Sequence, residues 1–197
     1  QDGSVTIIGT DAFDGCTGLK SIIIPDSVTS IGNSAFSYCY SLISITIPFV
    51  GATQDGSSNN HLGYIFGAGY SSSNDDYVPS SLKTVIVTNA SKINQHAFEY
   101  CVELTDIVLL EGVTRIEYGA FQNCTKLVNI SVPNSVEYIA NDIFYRSNNL
   151  QYNEYGNGKY LGNESNPYLY LVGTTIGDKT TKYQLEGNDI VRETTGD

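Results

Sequence analysis

The chain has 197 residues and a formal net charge of −11, from 21 Asp and Glu against 10 Lys and Arg. An acidic surface of that size repels phosphate backbones and anionic headgroups, so it argues against nucleic-acid and membrane-surface partners. No apolar run approaches the roughly 18 residues of a spanning helix, and abundant Gly (19) and Tyr (15) without Trp suit a turn-rich β protein.

The chain lacks Met and opens on no charged-then-apolar leader, so a mature or trimmed fragment is expected. Residues 12–25, "AFDGCTGLKSIIIP", return at 35–48 as "AFSYCYSLISITIP", 23 residues later. Phe13, Phe36, Phe98, Phe121 and Phe144 mark the pattern. Leu19, Leu42, Leu104, Leu127 and Leu150 keep its phase, as do Cys16, Cys39, Cys101 and Cys124, with Ser147 in the fifth place. Such periodicity marks units that stack, each too small to close a core alone. Within one unit "LKSIIIP" alternates as a short strand, with Leu19, Ile22 and Ile24 inward, and Pro25 ends it. "VTSIG" gives a second extended piece with Val28 and Ile31 inward. "NSAFSYCYSL" makes a compact turn that drives Phe36 and Cys39 into the core.

The segments "IGNSAFSYCYSLISITIP" (31–48), "INQHAFEYCVELTDIVLL" (93–110) and "IEYGAFQNCTKLVNISVP" (116–133) resemble the leucine-rich repeats of the BspA type. The resemblance covers about residues 5–150. It implies a leucine-rich repeat solenoid, a right-handed stack of six to seven coils with a parallel sheet on one face and short strands, turns and short helices elsewhere. By family habit it also implies an extracellular or cell-surface location and adhesion to host or cell-surface proteins or glycoproteins, host extracellular matrix included, or to other cells.

Residues 49–80 read as one expanded coil with long loops. "HLGYIF" (61–66) echoes "SIGNSAF" (30–36), and "SLKTVIVT" (81–88) is an ordinary strand. After Leu150 the period fades. Residues 151–197 are expected to be a degenerate repeat, a C-terminal cap or a tail of the same single domain (1–197). "YLG" (160–162) echoes "HLG" (61–63), and 176–197 would be a fragment of a further coil or a loose tail.

No catalytic constellation, metal site or cofactor is expected. The cysteines share one phase, whereas a metal needs ligands converging from several directions. Cys16/Cys39 and Cys101/Cys124 would lie about 5 Å apart, within disulfide reach. Their side chains point the same way, however, so buried thiols are expected, with disulfides the alternative. His61 and His96 are expected on the surface. The candidate ligand-binding residues are the outward strand positions Ser21, Ile23, Ser44, Thr46, Thr84, Ile86, Asp106, Val108, Asn129 and Ser131. Exposed loop aromatics Tyr64, Tyr70, Tyr77 and Tyr152 join them, since Tyr buries area at low entropic cost. The expected function is non-catalytic binding to a protein or glycoprotein; the alternative is a spacer with no ligand of its own.

Overall fold

Alternating apolar residues bounded by Pro and turns produce two short strands per coil. They are β1 (Ile7–Ile8), β2 (Ser21–Ile23), β3 (Ser30–Ile31), β4 (Ser44–Ile47), β5 (Thr84–Val87), β6 (Lys92–Ile93), β7 (Asp106–Leu109), β8 (Arg115–Ile116), β9 (Asn129–Ser131) and β10 (Tyr138–Ile139). The computed structural model describes residues 4–54, 56–155, 158–167, 169–171, 183–186 and 189–192. The longer strand of each coil joins a parallel five-stranded sheet in the order β2-β4-β5-β7-β9. Its inward row is Ile22, Ile45, Val85, Ile107 and Ile130, in register. Ile45 pairs with Val85, 40 residues on, where the other steps across the sheet are 22 or 23, so the extra residues between β4 and β5 are accommodated without loss of register.

The second strand of each coil forms a narrower parallel flank, split in two. β1 pairs with β3, and β6, β8 and β10 form a separate ladder. The break lies at the enlarged coil. Its first loop takes over the partner role, with Ala52 O accepting from Ile31 N at 2.8 Å, and then turns back, with Ala52 N donating to Asn59 O at 2.8 Å.

Phenylalanines stack through the core between the two flanks. Phe13 lies 5.0 Å from Phe36, Phe98 lies 5.5 Å from Phe121, and Phe121 lies 5.4 Å from Phe144, all near parallel. Phe66 of the enlarged coil sits 6.3 Å from Phe36 and is tilted by 53°, so the stack is disturbed there. Phe36, Phe66, Phe98 and Phe121 are buried, while Phe13, in the first described coil, is half-buried. Each buried ring contributes about 1.5–3 kcal/mol by transfer alone.

The turn that carries each Phe needs left-handed backbone at two places. Two residues before the Phe stand Asp11, Ser34, His96, Gly119 and Asp142; two after stand Gly15, Tyr38, Tyr100, Asn123 and Arg146. All ten have φ between 54 and 68°. Most are not glycine, so the fold accepts local strain in nearly every coil. Gly119 has a second reason to be glycine, because a Cβ there would lie 2.8 Å from the His96 ring.

The Cys position has a defined task. The Cys39 thiol donates to Phe13 O at 3.3 Å and the Cys124 thiol to Phe98 O at 3.0 Å, each tying one coil to the one before. Ser147 makes the equivalent bond to Phe121 O at 2.6 Å and also accepts from Cys124 N at 2.9 Å. All four cysteines are free thiols. Cys39, Cys101 and Cys124 are buried, but Cys16 is exposed, contrary to expectation. It lies in the first described coil, and no described coil stacks beyond it.

After Leu150 the parallel stack gives way to antiparallel structure. β11 (Asn153–Tyr155), β12 (Gly158–Leu161) and β13 (Tyr170–Leu171) form one sheet; β14 (Tyr183–Glu186) and β15 (Asp189–Arg192) form a hairpin. Tyr170 is wholly buried, and its hydroxyl lies 2.6 Å from Val136 O and 3.1 Å from Pro133 O, against the last regular coil. The echo of "HLG" in "YLG" does not extend to structure, since Tyr160 and Leu161 lie in β12 whereas His61 leads into a 3-10 helix, Leu62–Phe66. Apart from β14 and β15, the expectation for 176–197 lies outside the described residues.

Candidate functional site

The outward residues of the five-stranded sheet fall into two continuous rows. Ser21, Ser44, Thr84, Asp106 and Asn129 align across the strands, and Ile23, Thr46, Ile86, Val108 and Ser131 run beside them. The surface is about 19 Å across, four strand spacings of about 4.8 Å. Only Asp106 carries charge in it. Its carboxylate is fixed from two sides, accepting from Asn129 Nδ2 at 2.7 Å and from Thr105 Oγ1 at 2.5 Å. Ile23 is 77% exposed at one end of the rows. A chain of charges flanks the strip, with Glu103 between Lys83 Nζ at 2.7 Å and Lys126 Nζ at 2.6 Å. Hydrogen bonds from Lys126 and then Lys83 hold the Glu103 carboxyl below its usual range.

At the other end of the rows the antiparallel sheet folds over the strip. Asp106, Val108, Asn129 and Ser131 meet Asn153, Asn163, Glu164 and Pro167 across an open cleft of about 290 Å³. Its far wall is rigid: Val132 N donates to Gly162 O at 2.9 Å, and Asn163 Oδ1 accepts from Ser165 N at 3.0 Å and Asn166 N at 3.1 Å. These four wall residues were not among the sequence candidates. They lie beyond the periodic region, where no repeat phase says which side chain faces which.

The loop aromatics divide. Tyr70 is 76% exposed and Tyr77 49% exposed, as expected. Tyr64 and Tyr152 are only half-exposed, because each packs on the core. Tyr64 stands edge-on to His61 at 6.5 Å; Lys159 Nζ lies 5.5 Å from the Tyr152 ring, and burial raises the Tyr152 phenol. None of the four lines the cleft at the end of the strip.

His61 departs from expectation more sharply, for it is buried, with a ring nitrogen sealed from solvent. Its partner is Asn74, itself wholly buried within a short helical turn, Asn74–Tyr77. Asn74 Oδ1 accepts from Gly63 N at 3.0 Å, and its Nδ2 donates to Glu99 O at 2.7 Å and toward Cys101 Sγ at 3.6 Å. The oxygen is therefore an acceptor, and the His61 Nδ1 at 2.9 Å must carry the proton. That leaves Nε2 as a bare acceptor, buried without a partner among the described residues. Burial pushes the His61 imidazole below its usual range. His96 is half-buried, 3.2 Å from Glu99 Oε2, with its ring edge-on to Tyr118 at 5.6 Å.

Among the described residues no group of three or more His, Cys, Asp or Glu side chains converges as metal ligands. No helix there is long and apolar enough to cross a membrane. Burial raises the thiols of Cys39, Cys101 and Cys124, which makes them poor nucleophiles.

A comparison with curated proteins gives no match. Among solved structures, a leucine-rich repeat protein of T. pallidum is 27% identical over 76% of this chain and 52% of its own, with a TM-score of 0.35. One from Bacteroides ovatus is 28% identical over 74% of this chain and 39% of its own, with a TM-score of 0.47. A leucine-rich cell surface protein of Faecalibacterium prausnitzii is 25% identical over 94% of this chain and 48% of its own, with a TM-score of 0.44. The chain thus spans about half or less of the length of each. Residues 2–58 and 77–181 match, as six copies, the family model described as the BspA-type leucine-rich repeat region, and the chain belongs to that family.

Proposed function

We propose that this chain is a non-catalytic binding module of an extracellular or cell-surface protein, which recognises a protein or glycoprotein through its strand face. The observation that carries this reading is the pair of registered rows from Ser21 and Ile23 to Asn129 and Ser131, nearly uncharged in a protein of net charge −11. A rigid, weakly charged surface costs little to desolvate and loses little entropy on binding. Its apolar members, Ile23, Ile86 and Val108, supply contact area; the Ser, Thr and Asn groups supply hydrogen bonds. The cleft beyond Val108 and Ser131 gives the strip a concave end where a side chain or sugar of the partner would seat. Family membership supports the scaffold role, and a relative described as a cell surface protein supports the location. Adhesion to host matrix glycoproteins is the partner class we assign.

The test is a screen of the chain against matrix glycoproteins and a glycan array, beside a variant with Ile23, Ile86 and Val108 changed to Asp. Binding that the variant loses supports the strand face. Binding that it retains moves the ligand elsewhere, and no binding at all favours a spacer.

A further inference from the structure

The split in the narrow flank leaves a second cleft, away from the strand face. The first loop of the enlarged coil is anchored to one neighbouring coil through Ile31 N to Ala52 O. It reaches over the next, where Gln54 Nε2 donates to Asn89 O at 2.8 Å. Between these anchors the loop stands off β6 and β8. The resulting space of about 350 Å³ is lined by Ser57, Asn60, Lys92, Asn94, Gln95, Glu117 and Tyr118. That volume falls within the range of small-ligand sites.

Asn94 is the one buried residue of this lining. It is 8% exposed, and its side-chain amide opens into the cleft. The backbone adds further groups. Ser91 O and Ile93 O accept from Thr114 N and Glu117 N, so the N–H and C=O of Lys92 between them point to the other side of β6, toward the loop.

We infer that this cleft binds a neutral saccharide unit. The amides of Asn60, Asn94 and Gln95 each offer donors and an acceptor, as does the Ser57 hydroxyl, and vicinal sugar hydroxyls demand that mixture. Tyr118 is 44% exposed, and the His96 ring against its side, at 5.6 Å, steadies it as a platform for the C–H face of a sugar. The two lining charges, Lys92 and Glu117, oppose one another, and Arg115 Nε already holds Glu117 at 2.9 Å. An anionic ligand finds no net positive field there, and the protein as a whole repels it. None of the residues of the strand rows lines the cleft, so the inference stands independently of the function proposed above.

The experiment is saturation-transfer NMR and calorimetric titration of the chain with galactose, mannose, N-acetylglucosamine and lactose. We expect saturable binding of at least one, with Kd near about 1 mM, as a single sugar unit allows. Tyr118→Ala, at an exposed position, and Asn94→Leu each weaken it at least about tenfold with the thermal melt retained, while Ile23→Asp leaves it unchanged. If Asn94→Leu unfolds, Tyr118→Ala alone decides. No saturable binding of any of the four sugars, binding that Tyr118→Ala leaves intact, or binding that Ile23→Asp abolishes in folded protein overturns the inference.

Discussion

Replacing Phe121 by Ala tests whether the coils are coupled through a stacked aromatic ladder. Phe121 is fully buried and lies between Phe98 at 5.5 Å and Phe144 at 5.4 Å. Truncating a buried Phe costs about 3–5 kcal/mol in lost transfer energy and cavity. Two near-parallel partners place this site at about 4 kcal/mol or above, since each stacked pair contributes about 0.5–1.5 kcal/mol. For a chain of this size that lowers Tm by about 8–16 °C. Phe13 is the internal control. It is half-buried and has one stacked partner, Phe36 at 5.0 Å. Phe13→Ala is therefore expected to cost about half as much, roughly 2 kcal/mol. Urea unfolding followed by circular dichroism, with the Tm measured in parallel, gives both numbers. Equal costs at the two sites, or a Tm shift of a degree or two for Phe121→Ala, would refute the ladder as the source of coupling.

Four further outcomes follow from the polar interior. Ser147→Ala removes the bonds to Phe121 O and Cys124 N and should cost about 1–3 kcal/mol, whereas Ser147→Cys, which restores the group found at 39 and 124, should cost under about 1 kcal/mol by chemical denaturation. Asn74→Ala leaves Gly63 N, His61 Nδ1 and Glu99 O without their partner and should cost about 3 kcal/mol or more; hydrogen exchange should show protection lost first around residues 61–78. The depressed His61 imidazole means that the unfolded chain takes up a proton near its ordinary pKa while the native chain does not. Stability is then full above about pH 6.5 and declines as pH falls from there to the folded value; His61→Gln should show a shallower decline between pH 7 and 5.5, and equal slopes would contradict the assignment. In native protein a maleimide should modify Cys16 rapidly and the other three cysteines only on unfolding, and a second fast thiol would contradict the burial of Cys39, Cys101 and Cys124.

Much of the fold was legible because a repeat averages out local ambiguity. One copy of "AFSYCYSL" is a weak signal, but five in phase fix Phe, Cys and Leu as core, and the strands follow from the alternation between them. The echo of "SIGNSAF" in "HLGYIF" places Phe66 in the core despite the loops on either side. The periodicity failed where a coil loses its regular neighbours. Cys16 and Phe13 carry the core pattern but lie where no described coil covers them. His61 and Asn74 sit in stretches that look polar, yet both are buried. One clue existed. Three residues after Phe66, where the other coils place Cys or Ser, stands Gly69, so a different polar group had to fill the interior of that coil. Which of Ser71, Ser72, Ser73, Asn74 or Asp75 would do so depends on how the inserted turn folds back, and no periodicity encodes that. The clefts were invisible for the same reason: each joins a repeat position to a segment outside the repeat.

The enlarged coil shows how a repeat protein acquires a site. In the regular coils every backbone edge meets the next coil, and the flank offers little but a flat ladder. Insertion of extra residues before and after Phe66 leaves the main sheet intact, because Ile45 still meets Val85 in register. The cost appears elsewhere. The narrow flank is severed between β3 and β6, Phe66 tilts out of the stack, and Cys101 takes Asn74 in place of a phenylalanine carbonyl. A buried Asn–His pair repairs the interior, since a polar turn packed into a solenoid must have its amide groups satisfied. The repair is incomplete, since His61 Nε2 stays buried without a partner among the described residues. On the exterior, Asn94 and the outer edge of β6 turn polar groups into an open cleft beside the inserted loop. A rigid scaffold that carries a loop over such groups has the form that recognition requires.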